Sequence, residues 1–175
     1  MSFMDIALNR QSCRNFNQKR QVEDEKLQRI LECARLAPSA CNAQPYHITV
    51  CKGEDAHRIA KATVGMGING FTKDVPVMLV ISEDSYNKTA ALGAKIKSID
   101  YRSIDIGILC SHIVFQAHEE GLSTCILGWI EDKKIREICN CNKVHLIVAL
   151  GYANDDDKLR PKKRKSIDEL VSYKS

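Results

Sequence analysis

The chain is 175 residues long, with 44% hydrophobic and 27% charged residues, the proportions of an ordinary globular protein able to bury most of its apolar surface. A net charge of +4 and a pI near 8.6 are too weakly basic to argue for nucleic acid. No run approaches the roughly 18 apolar residues of a membrane span.

The start, M-S-F-M-D-I-A-L-N-R, lacks the basic opening and apolar run of a signal peptide. The expectation is therefore one cytoplasmic domain over 1–175 with no membrane partner. Eight cysteines at irregular spacing, with no C-x-x-C pair, read as reduced thiols serving as small hydrophobes. Cys139 and Cys141 form a C-x-C pair with no second pair to complete a four-ligand site, so no metal is expected.

In chain order, Met1–Asn9 reads as a short helix and Arg10–Phe16 as an extended polar segment. Val22–Ala37 is the clearest helix, with acidic residues at its start and an inner face of Leu27, Ile30, Leu31 and Ala34. Pro38 is expected to end it. Tyr46–Cys51 is a strand and Glu54–Val64 a helix. Val75–Ser82, V-P-V-M-L-V-I-S, is a continuous apolar run and hence a strand covered on both faces. Residues 83–102 are polar with a helical middle. Ser103–Gly121 is apolar over most of its circumference, which places it in the core or against another subunit. Strands at Leu122–Leu127 and Val144–Leu150 flank a short charged helix at Glu131–Cys139, and a weak amphipathic turn closes the chain at Ile167–Val171. Helices and strands that do not alternate strictly indicate an α+β fold.

The stretch A-R-L-A-P-S-A-C-N-A-Q-P-Y-H-I-T-V, Ala34–Val50, carries two prolines with small residues between them. A stiff loop of this kind suits the wall of a site for a flat ligand. Gly65-Met-Gly67-Ile-Asn-Gly70 matches G-x-G-x-x-G literally. A helix precedes it and a strand follows, the reverse of the dinucleotide fingerprint, so it is read as a loop.

Arg10, Ser12 and Arg14 share one side of an extended segment, and are either a solvated polar face or a phosphate clamp. The tail K-L-R-P-K-K-R-K at 158–165 is a solvated run, a nucleic-acid contact, or a second half of the same phosphate site through Arg160, Lys162 and Arg164. No interleaved aromatics support base stacking. The five histidines show no metal-ligand spacing, no serine lies in G-x-S-x-G, and Cys13, Cys41 and Cys125 have no partner base in view. If the chain is an enzyme, a bound cofactor carries its chemistry.

Taken in order, R-Q-S-C-R-N-F, A-R-L-A-P-S-A-C-N-A-Q-P-Y-H, L-G-W, L-I-V-A-L-G-Y and R-P-K-K-R-K-S-I-D-E-L-V resemble the flavin-dependent nitroreductase family over nearly the whole chain. The resemblance implies an α+β sandwich with a central, mostly antiparallel sheet flanked by helices, in an intertwined homodimer that binds FMN at the subunit interface. It also implies hydride transfer from NADH or NADPH to a nitroaromatic, quinone or related small-molecule acceptor by a ping-pong mechanism. The alternative is a flavin-binding carrier or sensor without NAD(P)H-oxidising turnover.

By the same resemblance, Arg10, Gln11, Ser12 and Arg14 match the flavin-binding segment, with Arg10 and Ser12 on the phosphate and Arg14 near the pyrimidine edge. Arg14 would support the charge of the reduced ring, and no side chain acts as a catalytic acid or base. Pro38, Ser39, Ala40 and Asn42 would reach over the flavin from the other subunit. Leu127 and Gly128 match the backbone facing N5, Asn69 a polar ring contact, and Lys162 and Arg164 the closing phosphate contacts. Two departures stand out: Cys41 takes a position where glycine is common, and 83–102 resembles a shortened version of the region that shapes the substrate pocket.

Overall fold

A computed structural model describes residues 2–86, 96 and 98–174. Its elements are α1 (Phe3–Asn9), α2 (Asp24–Arg35), β1 (Tyr46–Lys52), α3 (Gly53–Thr63), β2 (Val77–Glu83), α4 (Tyr101–Glu119), β3 (Ser123–Leu127), α5 (Asp132–Cys139), β4 (Val144–Gly151) and α6 (Ile167–Leu170). The four strands form one antiparallel sheet in the order β1-β2-β4-β3. Half of the stretch expected to shape a pocket, 87–95 and 97 of 83–102, lies outside the described residues.

β2 explains the layering. Its side chains alternate between faces, yet every residue from Val77 to Ser82 is buried, because both faces of the sheet are covered. Val77, Leu79 and Ile81 join Val148 and Leu150 under α2 and α4. Met78 and Val80 join Ile147 and Ala149 under α3 and α5. The result is helix on sheet on helix, with one hydrophobic cluster on each side.

Gly151 ends β4 where the chain must pass close to its neighbours. A Cβ there would lie 2.7 Å from Pro76 Cδ and 3.2 Å from Phe16 Cδ1, too close for any other residue without displacement.

α2 ends at Arg35, with Leu36 as its cap, so the helix stops before Pro38 rather than at it. Pro38 sets the extended backbone that follows. α4 buries Ile106, Leu109, Ile113 and Val114 on one side, while Ile104 and the neighbourhood of Gly107 remain exposed. It is therefore a two-sided helix, buried towards the sheet and apolar but open on part of its outer surface. Among the described residues no helix is long and apolar enough to cross a membrane.

Candidate functional site

Arg10–Asn17 runs along the free edge of β3. Ser12 bridges Thr124 in parallel, the Cys13 N–H donates to the Thr124 carbonyl at 2.9 Å, and Phe16 bridges Ala153. The C-terminal tail folds back onto this segment. The Arg160 N–H donates to Gln11 Oε1 at 3.0 Å, Lys162 Nζ donates to the Arg10 carbonyl at 2.6 Å, and the Arg160 guanidinium donates to the Ser12 carbonyl. The two ends of the chain, some 150 residues apart in sequence, thus meet.

Where they meet is a cavity of about 360 Å³ lined by Arg10, Arg14, Arg160, Lys162, Lys163 and Arg164, with Gln11, Ser12 and Pro161. Among the described residues no carboxylate lines it. Asp157, next to it, is already held by Arg160 at 3.0 Å and approached by Gln11 Nε2 at 3.4 Å. Burial, and then Arg10, Arg164 and Arg160, push the Lys162 ammonium below its ordinary range, as expected for a cation among uncompensated cations. The buried Arg10 Nε has no hydrogen-bond partner among the described residues, and a buried donor left unpaired is costly. These features fit an anion of high charge density, such as a phosphate monoester.

Of the three candidate nucleophiles, Cys41 is exposed on the stiff loop, and the two beneath the cavity are suppressed. Burial pushes the Cys13 thiol up to about 12. It also raises that of Cys125, against the pull of Arg14, Ser12, Arg160 and Arg10. Neither supplies a ready thiolate at neutral pH.

The stiff loop adopts a short 3₁₀ turn at Ala40–Asn42, and Cys41, Asn42 and Gln44 have φ of 51°, 49° and 46°. The Ala40 N–H donates to Asp105 Oδ1 at 3.0 Å, while Ser39 Oγ accepts from the Gln44 N–H at 2.9 Å. Pro38 and Asn42 are exposed, and none of Pro38, Ser39, Ala40 or Asn42 lines the basic cavity. One protomer does not bring this wall to the cations.

Leu127 is buried and Gly128 exposed at the end of β3. Asn69, itself left-handed at φ 62°, spends its amide donors on the Thr63 carbonyl at 3.1 Å and the Trp129 carbonyl at 3.5 Å. Its side chain therefore ties the 65–70 turn to the segment after Gly128. Gly65 lets that happen: a Cβ there would lie 2.6 Å from Trp129 Nε1. The G-x-G-x-x-G stretch is a turn closed by a Gly65–Ile68 bridge, followed by a 3₁₀ turn, with no strand before it.

Two family models match the sequence: one described as "Nitroreductase family" over residues 7–67, and one described as "Putative TM nitroreductase" over residues 86–175, just over half of the chain. The chain belongs to the nitroreductase family. An oxygen-insensitive NADPH nitroreductase of Helicobacter acinonychis is 24% identical, over 90% of this chain and 90% of that protein. An FMN-dependent nitroreductase of Clostridium difficile R20291 is 27% identical, with a TM-score of 0.77 over 98% of this chain and 99% of that one. A nitroreductase family protein from Streptococcus pneumoniae TIGR4 shares the fold, with a TM-score of 0.83 at 20% identity over 99% of this chain and all of that one.

Against this family background, two residues of this nitroreductase-family chain escaped sequence reasoning. Asp105 is 2% exposed, anchors Ala40 and leaves Oδ2 without a hydrogen-bond partner among the described residues. The signal was present as a lone carboxylate inside the apolar run of α4. Asp157 orders the tail through Arg160, but among the three consecutive aspartates at 155–157 nothing singles it out.

Proposed function

We propose that the chain is an FMN-dependent oxidoreductase that takes hydride from NADH or NADPH and passes reducing equivalents to a nitroaromatic, quinone or related small acceptor, in ping-pong fashion. The observation that carries this reading is the convergence of six basic side chains from both chain ends on one cavity, with no lining carboxylate among the described residues, in a member of this family.

Arg10, Ser12, Lys162 and Arg164 would hold the FMN phosphate, with Arg160 and Gln11 fixing the tail against the N-terminal segment. When bound, the flavin supplies the hydride-accepting and hydride-donating centre. Arg14, exposed at the cavity rim, would stabilise negative charge developing on the pyrimidine side of the ring by fixed electrostatics. The Leu127–Gly128 backbone at the end of β3 would face the ring. Asn69, whose amide is committed to Thr63 and Trp129, would shape that wall through Trp129 more than by touching the ring.

The cover would come from Pro38, Ser39, Ala40 and Asn42 of a second copy in a homodimer. Exposed Phe3, Met4, Leu8, Leu36 and Ile104 give such a dimer apolar surface to bury. Asp105 would hold the covering loop in shape through Ala40.

The test is spectroscopic. The purified protein should be yellow or take up FMN stoichiometrically, and the oxidised-flavin band should bleach when NADH or NADPH is mixed with it anaerobically. A colourless protein that takes up no FMN refutes the reading. Uptake without bleaching by either nicotinamide would make the chain a flavin carrier or sensor instead.

A further inference from the structure

A second chemically distinct cluster lies at the opposite edge of the sheet from the basic cavity. β1 is the edge strand remote from β3, and its Cys51, only 5% exposed, points into the cluster under α3 and α5. Cys139, the last residue of α5, places its Sγ 3.7 Å from Cys51 Sγ. Asn140 then turns left-handed at φ 47°, so that Cys139 and Cys141 both line an open polar cavity of about 320 Å³ with His47, Ser82 and Glu83. One sulfur of the pair thus meets solvent and the other is sealed beneath it. Among the described residues no group of three or more His, Cys, Asp or Glu side chains could hold a metal ion, which leaves thiol chemistry.

We propose that Cys51 and Cys139 form a reversible thiol–disulfide site, oxidised by hydroperoxides that enter through the cavity at Cys139. Bonding requires the sulfurs to approach from 3.7 Å to about 2.05 Å. Their contact also lets one proton serve both sulfurs. The S–H of Cys139 pulls the Cys51 thiol down against its burial, while Cys139 is pushed up by the same contact and by burial. The negative charge of the pair therefore rests mainly on Cys51; because either sulfur can be the donor in this contact, proton transfer to Cys51 supplies the minor Cys139 thiolate, which is replenished as peroxide arriving at Cys139 consumes it.

The Cys139 thiolate attacks one peroxide oxygen; the O–O bond breaks, and hydroxide leaves and is protonated to water. Cys139 is then a sulfenic acid. The Cys51 sulfur attacks it, the S–S bond forms, the S–O bond breaks, and the departing hydroxide takes the Cys51 proton as a second water. Two thiols lose two electrons and two protons, and one hydrogen peroxide becomes two waters. The product ties edge strand β1 to the end of α5.

The test uses the purified full chain with whatever cofactor it carries. After brief exposure to a small excess of hydrogen peroxide, the protein is denatured, alkylated and mapped without reduction. The expected result is the loss of two alkylatable thiols, a mass lower by two hydrogens, and a peptide linking Cys51 to Cys139. Dithiothreitol should restore all three measurements. Cys139→Ser should leave Cys51 alkylatable after the same exposure, and Cys41→Ser should retain the link. A first-formed link between Cys139 and Cys141, a link between two chains, or Cys139 driven to sulfinic acid while Cys51 stays free would each overturn the proposal. Because the map is read on the natural sequence, a poorly folding variant does not protect the proposal from refutation.

Discussion

Replacing Arg164 with Gln separates binding from folding in the basic cavity. The Arg164 side chain donates to the adjacent Lys163 carbonyl at 2.7 Å, a contact within its own segment, whereas Lys162 reaches across to Arg10. Losing Arg164 therefore breaks no tie between the chain ends. It also removes one of the cations that push the Lys162 ammonium down, so the cofactor-free protein should keep its melting temperature or gain slightly, by a few tenths of a kcal/mol at most. Binding should move the other way. A charge-assisted hydrogen bond to phosphate is worth about 1.5–3 kcal/mol, and the open, solvent-screened rim argues for the lower end. An expected loss of about 1.5 kcal/mol is roughly a tenfold rise in Kd. FMN titration followed by flavin fluorescence, near physiological salt where the Debye length is about 8 Å, measures the affinity. Melting without FMN measures the fold. At high salt the tenfold gap should narrow. Unchanged affinity together with a lower apo melting temperature would refute the reasoning and make Arg164 a structural residue.

Further expectations concern strain and titration. Cys41 holds φ 51°, a conformation costing most residues about 1–2 kcal/mol against a glycine entropy cost of about 0.5–1 kcal/mol. Cys41→Gly should therefore gain about 0.5–1 kcal/mol and a few degrees in Tm, and Cys41→Ala should not; equal melting of the two variants refutes the strain argument. Glu83 closes β2 and binds Arg102 at 2.8 Å, His145 at 2.7 Å and Lys143 at 3.6 Å. Burial raises its carboxyl, but the hydrogen bond from His145 and the charges of Arg102 and Lys143 outweigh burial and hold it below its ordinary 4.5. Its contribution is complete above that value and disappears as pH falls through the lower folded-state value. Glu83→Gln should cost about 2 kcal/mol at neutral pH and flatten the acid limb of the stability profile; an unchanged acid limb counts against it. Burial, Arg10 and Lys162 push His118 below 6.5, so the unfolded chain binds more protons there and stability should fall as pH drops through and below 6.5. An anion in the cavity reverses the cations' share, so inorganic phosphate should raise the His118 pKa in an NMR titration, and an unmoved His118 resonance refutes that coupling.

What the sequence discloses follows from how local each signal is. The unbroken apolar run of β2 and the periodic inner face of α2 are written in consecutive residues, and both elements stand where those patterns put them. The reversed polarity of the Gly65–Gly70 stretch is equally local, and it is a turn. The left-handed residues at Cys41, Asn42 and Gln44 are not legible, because none is glycine and the turn is tied by hydrogen bonds from the Ala40 N–H to the distant Asp105 and from the Gln44 N–H to Ser39. Nor is the union of Arg10–Arg14 with Arg160–Arg164, which depends on β3 offering its edge to Ser12 and on Gln11 receiving the Arg160 N–H. The resemblance to a family named those residues; only the fold brings them within reach of one ligand. Residues 83–102 were legible at their ends, where β2 finishes and α4 begins.

The C-terminal segment gives the sharpest test of the proposed dimer. α6 is four residues long, begins with a capping box between Ser166 and Glu169, and buries none of its residues. Ile167 and Leu170 are 66% and 63% exposed, and Tyr173 is 89% exposed. So short a helix has no stability of its own, and a capping box contributes only about 1 kcal/mol. Apolar side chains ordered in such a segment call for a surface to cover them, and the proposed homodimer supplies one. Fully burying an Ile, Leu or Tyr is worth about 1.5–3 kcal/mol each, so even partial burial of the three on each protomer would contribute several kcal/mol to association. Deleting residues 166–175 keeps every basic residue of the cavity. It should leave the protomer fold intact by circular dichroism while weakening self-association by at least two orders of magnitude in sedimentation equilibrium. FMN affinity should then fall at low protein concentration and recover at high concentration, since the covering loop would come from the partner. A truncated chain that dimerises as tightly as the full one would show that the tail does not build the dimer, and a monomer that binds FMN as tightly as the dimer would show that the partner's loop does not complete the site.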